Sequence, residues 1–276
     1  MSILEQFQEL IIGFAGLVIV MGVFFILMLL GWPGEPDPDS VGQPDVYGER
    51  VHPGSMIKQP WCTWSNLAPI CFGIAILVII GLDKSSHSKP HNPMATATFY
   101  SALYGYLVIF LGPGSMFFHA SLTKWGGWVD NLSMDLFISF VLLYDIGRIS
   151  RIPVGVFFTL FLLVNAIAGV LLWLKDCGKL IFGIMIGATA MAEVLILLFH
   201  VSGVHRDASL LVLALLVFLI ALIIWKLSQR EVELPLLGKF SGPLYMPDSW
   251  FQGHAIWHVL TAVAALLIFF YLRTES

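Results

Sequence analysis

GPGSMFFHASLTKWGGWVDNLSMD, Gly112 to Asp135, sets several polar side chains inside a chain that is otherwise apolar over long runs, and their placement decides how the molecule must fold. Ser115 and His119 are four residues apart, so on a helix they share one face with about 6 Å of rise between them. Asp130 follows beyond a short turn, Thr123 to Gly127, tight enough to return the chain to the same depth. His254 and His258, in GHAIWHVL at the start of the last hydrophobic segment, repeat the four-residue spacing. Three imidazoles from two helices can then meet on one metal ion.

Two imidazoles at i and i+4 are the helical way to hold zinc, and a third protein ligand leaves the fourth tetrahedral position open, as in a catalytic site. The spacing alone says little in a chain with eight His. His87 and His91 show it too, within a Pro-, Ser- and Asn-containing loop that does not favour a helix. What gives weight to His119, His254 and His258 is their place in apolar segments, where ionisable groups are costly and pair, bind an ion or line a wet cavity.

The composition sets the class. With 58% hydrophobic and 12% charged residues the chain is far more apolar than a soluble domain, where charged residues reach about 25%. Mean hydropathy is +0.87. The net charge of -4, with no basic patch interleaved with aromatics, excludes a nucleic-acid partner. Cys62, Cys71 and Cys177 form no disulfide framework.

The segment Leu10 to Trp32 is too long for a signal-peptide core and is preceded by Glu5 and Glu9, so it reads as a retained transmembrane helix. Pro33 to Pro60 is a Pro-, Gly- and acid-rich extramembrane connector. Further helices are expected over Trp61 to Leu82, Ala97 to Ala120 with a kink at Pro113, Trp128 to Gly147, Pro153 to Leu174, Leu180 to His200, Ser209 to Leu227, and from His254 onward. Glu193 lies deep in one of them and must be neutral or paired. His200 and His205 read as interfacial, and Asp135, about 140° round the helix from Asp130, faces elsewhere. With eight crossings, Ser115, His119, Asp130, His254 and His258 all fall near the membrane face that carries the Pro33 to Pro60 connector. One crossing more or fewer between Asp130 and His254 would separate them. Lys and Arg divide as eight on that face and six on the other, which leaves the orientation open.

The pattern Gly114-Ser115-x-x-Phe118-His119-x-Ser121-Leu122, Asp130 with Leu132 and Met134, His254-x-x-Trp257-His258, and Trp61-x-Thr63-x-Ser65-Asn66 resembles the alkaline ceramidase family, part of a wider superfamily of seven-helix membrane hydrolases. The resemblance runs from about Tyr47 to the C-terminus. It implies an all-α polytopic membrane helical bundle: residues 1–32 an extra N-terminal transmembrane helix, 33–60 an extramembrane loop, and 61–276 a seven-helix hydrolase core. It makes His119, His254 and His258 zinc ligands, with Ser115 and Asp130 catalytic beside them, and suggests a site on the non-cytoplasmic side. It also implies a possible calcium region at Asp45 and Glu49. There the match is poor: Tyr47 or Gly48 stands where the family has cysteine, and Gln59 replaces a glutamate, leaving little charge for a cation that takes about six to eight oxygens. A solvated acidic loop is the preferred alternative.

The implied chemistry is metal-assisted hydrolysis of a ceramide-like membrane lipid, with Asp130 as general base and Ser115 as hydrogen-bond donor. A serine nucleophile is disfavoured, because no His is left free of the metal to activate Ser115. Another lipid hydrolase acting on a different acyl bond, and a non-enzymatic receptor or transporter with structural zinc, are the alternatives.

Overall fold

The computed structural model describes residues 1–85, 92–175, 177–199, 204–234 and 238–276. Its helices in chain order are Ile3–Gln6 (α1), Gln8–Leu29 (α2), Pro60–Ser65 (α3), Leu67–Ser85 (α4), Phe99–Ser121 (α5), Lys124–Ser150 (α6), Val154–Leu174 (α7), Gly178–Phe199 (α8), Ala208–Leu227 (α9) and Gly253–Leu272 (α10). A hairpin of Val232–Leu234 (β1) and Gly238–Phe240 (β2) lies in the connector before α10. The His87 and His91 pair and His200 fall outside the described residues.

Among the described residues, seven stretches are long and apolar enough to cross a membrane: α2, α3 with α4, α5, α7, α8, α9 and α10. The remaining long helix, α6, has 27 residues and so spans about 40 Å, more than the roughly 30 Å of a hydrocarbon core. Its lower apolarity comes from polar side chains turned inward, Ser133, Asp135, Ser139 and Asp145. Its ends show that it crosses. Near the start, Trp128 donates from Nε1 to the Gly169 carbonyl late in α7 (2.8 Å), while near the end Asp145 meets Arg206 just before α9 (2.7 Å). The described residues therefore form an all-α bundle in which, with α6, eight stretches are long enough to cross.

Helix α5 is its centre, with nearly every side chain from Ser101 to Ser121 buried, whereas α2 and α9 lie at the periphery. The chain enters α5 through a capping box in which the Thr98 and Ser101 side chains each take the other's backbone N–H. The helix then continues through Pro113, the position at which the sequence suggests a kink, to Ser121. The flanking glycines admit neighbours. A Cβ on Gly112 would sit 2.5 Å from Ile70 Cγ1 of α4 and 2.6 Å from the Asn66 carbonyl just before it, and one on Gly114 would sit 2.7 Å from Ser133 of α6. The turn after α5 is shorter than expected: Leu122 takes a left-handed conformation (φ 49°), Thr123 caps α6 by accepting from the Gly126 N–H, and Lys124 is already helical.

The connector 33–59 folds back onto the end of α5. Backbone N–H groups of Gln59, Lys58 and Asp37 donate to the carbonyls of His119 (3.1 Å), Ala120 (3.0 Å) and Leu122 (2.9 Å), which have no partner within the helix. The connector is thus the cap of the central helix rather than only a solvated acidic loop.

At the opposite end, Glu193 is paired, as its depth requires. Arg206 joins Asp145 (2.7 Å), Glu193 (3.1 Å) and Glu275 (2.9 Å), Arg148 adds a bond to Glu275 (2.5 Å), and Tyr271 donates to Glu193 (2.5 Å). The cluster ties α6, α8, the entry to α9 and the C-terminus together. Arg206→Met leaves three buried carboxylates without their shared cation and is expected to cost about 3–5 kcal/mol, read as a lower melting temperature in detergent. Arg50→Ala, which removes the exposed pair with Asp248, should leave the melting temperature within error of the parent.

Candidate metal centre

Ser115 and His119 project from the last turns of α5, Asp130 from the second turn of α6, and His254 and His258 from the first turns of α10. The fold brings all five to one place. The three histidines are buried and their offered nitrogens all lie within 4.8 Å of one another. Nε2 of His254 is 3.2 Å from Nε2 of His119, close to the about 3.3 Å separating two ligands of a tetrahedral ion with bonds of 2.0–2.1 Å.

The tautomers follow from the neighbours. Gln59 commits its Nε2 hydrogens to the carbonyls of Val46 (2.5 Å) and Glu49 (3.2 Å), so its Oε1 faces His119 and accepts from Nδ1–H at 2.8 Å. Ser65 donates its hydroxyl to the Cys62 carbonyl (3.0 Å), leaving lone pairs for the Nδ1–H of His258 at 2.8 Å; Asn66 Nδ2, 3.1 Å from the same nitrogen, has its two hydrogens committed to Cys62 and Ser115. Both rings thereby aim an Nε2 lone pair at the shared centre. His254 Nδ1 has no hydrogen-bond partner among the described residues; its ring is held instead by Tyr47, whose ring centroid lies 5.0 Å away. Tyr47 also packs edge-on to His119 at 5.4 Å.

Two neutral lone pairs 3.2 Å apart in a buried site repel unless a cation or proton lies between them. The donor set, three imidazoles aimed at one point with no cationic side chain among their hydrogen-bond partners, fits a metal ion. Beside it, Ser115 Oγ lies 3.4 Å from His258 Nε2 and accepts from Asn66 Nδ2 at 3.1 Å, with the Asp130 carboxylate as its neighbour. Asn66 gives its second hydrogen to the Cys62 carbonyl (2.8 Å), so this motif residue ties the break between α3 and α4 to the site.

Asp45 and Glu49 lie outside this group. Glu49 accepts from the N–H of Trp61 (2.9 Å) and Cys62 (2.8 Å), stabilising the N-terminal end of α3 that Pro60 opens. Asp45 accepts from the Tyr245 hydroxyl and lies 3.6 Å from Arg230. Burial, with the Asp45 carboxylate beside it, pushes the Tyr245 phenol up to about 12, so it remains the donor. Asp135 is buried away from the triad's hydrogen bonds.

Tyr47 and the supporting roles of Gln59 and Ser65 are what sequence reasoning missed. Tyr47 rides on a single turn, Val46–Gly48, with φ 61°. The turn seats on the end of α9, where a Cβ on Gly48 (φ 82°) would meet the Ser228 carbonyl at 2.5 Å. The only sequence signal was the adjoining glycine.

Fold and site together define a polytopic membrane protein with an inward-facing histidine triad able to hold a metal ion. The model of the ceramidase family matches residues 55–275, and the chain belongs to that family. No curated protein sequence matches it. Gln59→Leu keeps volume but removes both the acceptor for His119 and the donor to Val46 and Glu49. It is expected to weaken divalent-ion affinity about 10 to 100-fold in a competition titration against a chromogenic chelator.

Proposed function

We propose that the protein is a zinc-dependent intramembrane amidase that hydrolyses ceramide-like N-acyl sphingoid lipids to a fatty acid and a free sphingoid base. Membership of the ceramidase family supports amide hydrolysis of ceramide in general. The observation that carries the finer reading is the convergence of His119, His254 and His258 next to Ser115 and Asp130.

His119, His254 and His258 would hold the ion, and three neutral nitrogen donors with one open position favour zinc. When bound, zinc supplies a Lewis acid that polarises a carbonyl and makes water nucleophilic near neutral pH. The chain's own residues do the rest. Asp130 takes a proton as water adds to the amide carbon and returns it to the amine nitrogen as the C–N bond breaks. The Ser115 hydroxyl, held by Asn66, turns from Asp130 toward the oxygen that gains charge. Tyr47 covers the rings from the side of the connector and limits solvent access. The lipid tails lie among the apolar helices, and the site face is the non-cytoplasmic one, a reading supported by the short Arg148 to Arg151 turn at the other end.

Calcium has no part in this proposal. The Gln59 amide donates to the carbonyls of Val46 and Glu49, and the carboxylates of Asp45 and Glu49 are engaged by protein groups.

Purified protein is expected to carry one equivalent of zinc by elemental analysis, to lose it in His254→Ala, and to keep turning over ceramide when calcium is selectively removed. A full equivalent of tightly held zinc in His254→Ala would show the ligand set to be wrong.

Asp130→Asn separates proton transfer from ligand support. As proton carrier, its loss should lower turnover about 10² to 10⁴-fold with zinc content unchanged. A supporting role would instead let excess zinc restore much of the rate. We expect no restoration, measured as turnover against zinc concentration.

A further inference from the structure

The end of the bundle opposite the histidines contains a partly enclosed cavity of about 240 Å³, lined by Pro93, Tyr100, Tyr144, Gly147, Arg148, Arg151 and Ile152. We propose that it binds the phosphate of an anionic membrane phospholipid.

Three features of the cavity point that way. Two arginines line it. Arg151 is exposed and, among the described residues, makes no ion pair. Among the described residues Arg148 uses only Nε, toward Glu275 at 2.5 Å, and its two terminal nitrogens make no hydrogen bond. Guanidinium groups are the side chains best matched to phosphate oxygens, which they take in pairs of parallel hydrogen bonds. Tyr144, only 1% exposed, also lines the cavity, and its hydroxyl is buried without a hydrogen-bond partner among the described residues. An orphaned buried hydroxyl is costly, and an acceptor oxygen in the cavity would satisfy it.

Position selects a lipid over a free anion. Arg151 is the C-cap of α6, and Pro153 opens α7, whose first turns present Val154, Val156 and Phe158 outward. The cavity therefore lies at the level where helix ends meet the headgroups, with an apolar surface beside it for acyl chains. Basic pockets between transmembrane helices recognise headgroups in this way. Its volume, against about 30 Å³ for a water in the liquid, admits a phosphodiester with its first glycerol carbons. The local backbone is fixed by the helix end: Arg151 adopts φ 52°, a conformation unusual for a residue with a side chain, and donates its N–H to the Gly147 carbonyl. The site is independent of the proposed hydrolysis, since its residues share no hydrogen bond with the histidine cluster.

The test is native mass spectrometry of the full-length, delipidated protein titrated with phosphatidylglycerol, phosphatidylcholine or inorganic phosphate. Phosphatidylglycerol should be retained in preference to phosphatidylcholine. Arg151→Gln should weaken that retention about 5-fold, the value of one arginine near a charged surface. Tyr144→Phe, which keeps the ring, should weaken it by less. Arg151 is exposed, so its substitution should not alter the melting temperature; Arg148→Gln is avoided as the primary variant because it also frees Glu275. Equal retention by the parent and by folded Arg151→Gln, or no preference for the anionic lipid, would overturn the proposal. Displacement of the lipid by millimolar inorganic phosphate would assign the cavity to a free anion and overturn the lipid source.

Discussion

A polar group carried into a membrane has to find its partner inside the protein, and this molecule meets that constraint by confining its buried polar chemistry largely to the two ends of the bundle. Between them the core is hydrocarbon and aromatic ring: Ile76, Leu77, Tyr104, Phe140, Phe157 and Phe269 pack with little exposure, and Tyr104 sends its hydroxyl to the Ala265 carbonyl at 2.6 Å. Asn165 and Ser139 satisfy each other midway at 2.8 Å. The two ends are then free to differ, and they do.

The end with the histidines is built by backbone before it is built by side chains. The last carbonyls of α5 need donors, and the connector supplies them; in doing so it fixes Gln59 beside His119 and carries Tyr47 over the rings. The same stretch is pinned from below by Glu49 at the start of α3 and from the side by Arg50 and Asp45, which reach Asp248 and Tyr245 of the connector before α10. The two long extramembrane segments are thus joined to each other across the mouth, and α5 and α10 are held in register by what covers them. A histidine placed near a helix end gains orientation from such a cover that a histidine in mid-membrane would have to obtain from buried neighbours.

What could be read from the sequence follows the same division. Helical spacing and the parity of crossings were enough to bring His119, His254 and His258 together, because both depend only on local periodicity and on counting apolar segments. Glu193 was recognisable as needing a partner, but Arg206 was not recognisable as supplying it, since the pairing depends on how α8 returns toward α6 and the C-terminus. The role of Gln59 was hidden by its distance of 60 residues from His119 and by its appearing only as the loss of a charge. Gly126 and Gly127 suggested a turn, yet they lie within α6. Thr123 starts the helix before them, and a Cβ on Gly126 would meet the Ser121 hydroxyl at 2.8 Å, so close approach rather than turn geometry explains that glycine. Tyr47 had no signal of its own, because a single residue with positive φ in a connector is set by what it packs against.

The two ends also differ in how their charge is balanced. Opposite the site, Arg206 and Arg148 stand against Asp145, Glu193 and Glu275, so the protein neutralises most of that cluster with its own side chains. At the histidines the neighbours are an amide, a hydroxyl and an aromatic ring, none of them charged, and the Asp130 carboxylate lies beside Ser115. Neutral donors converge there with their Nδ1 hydrogens turned outward, an arrangement that stabilises a positive charge at its centre and little else. A proton could fill that role for one pair of nitrogens, but it could not serve three rings on two helices at once. A single ion coordinated by all three would relieve the lone-pair repulsion and join α5 to α10 at the mouth. Such an ion would act as a structural tie between the two helices as well as a chemical centre.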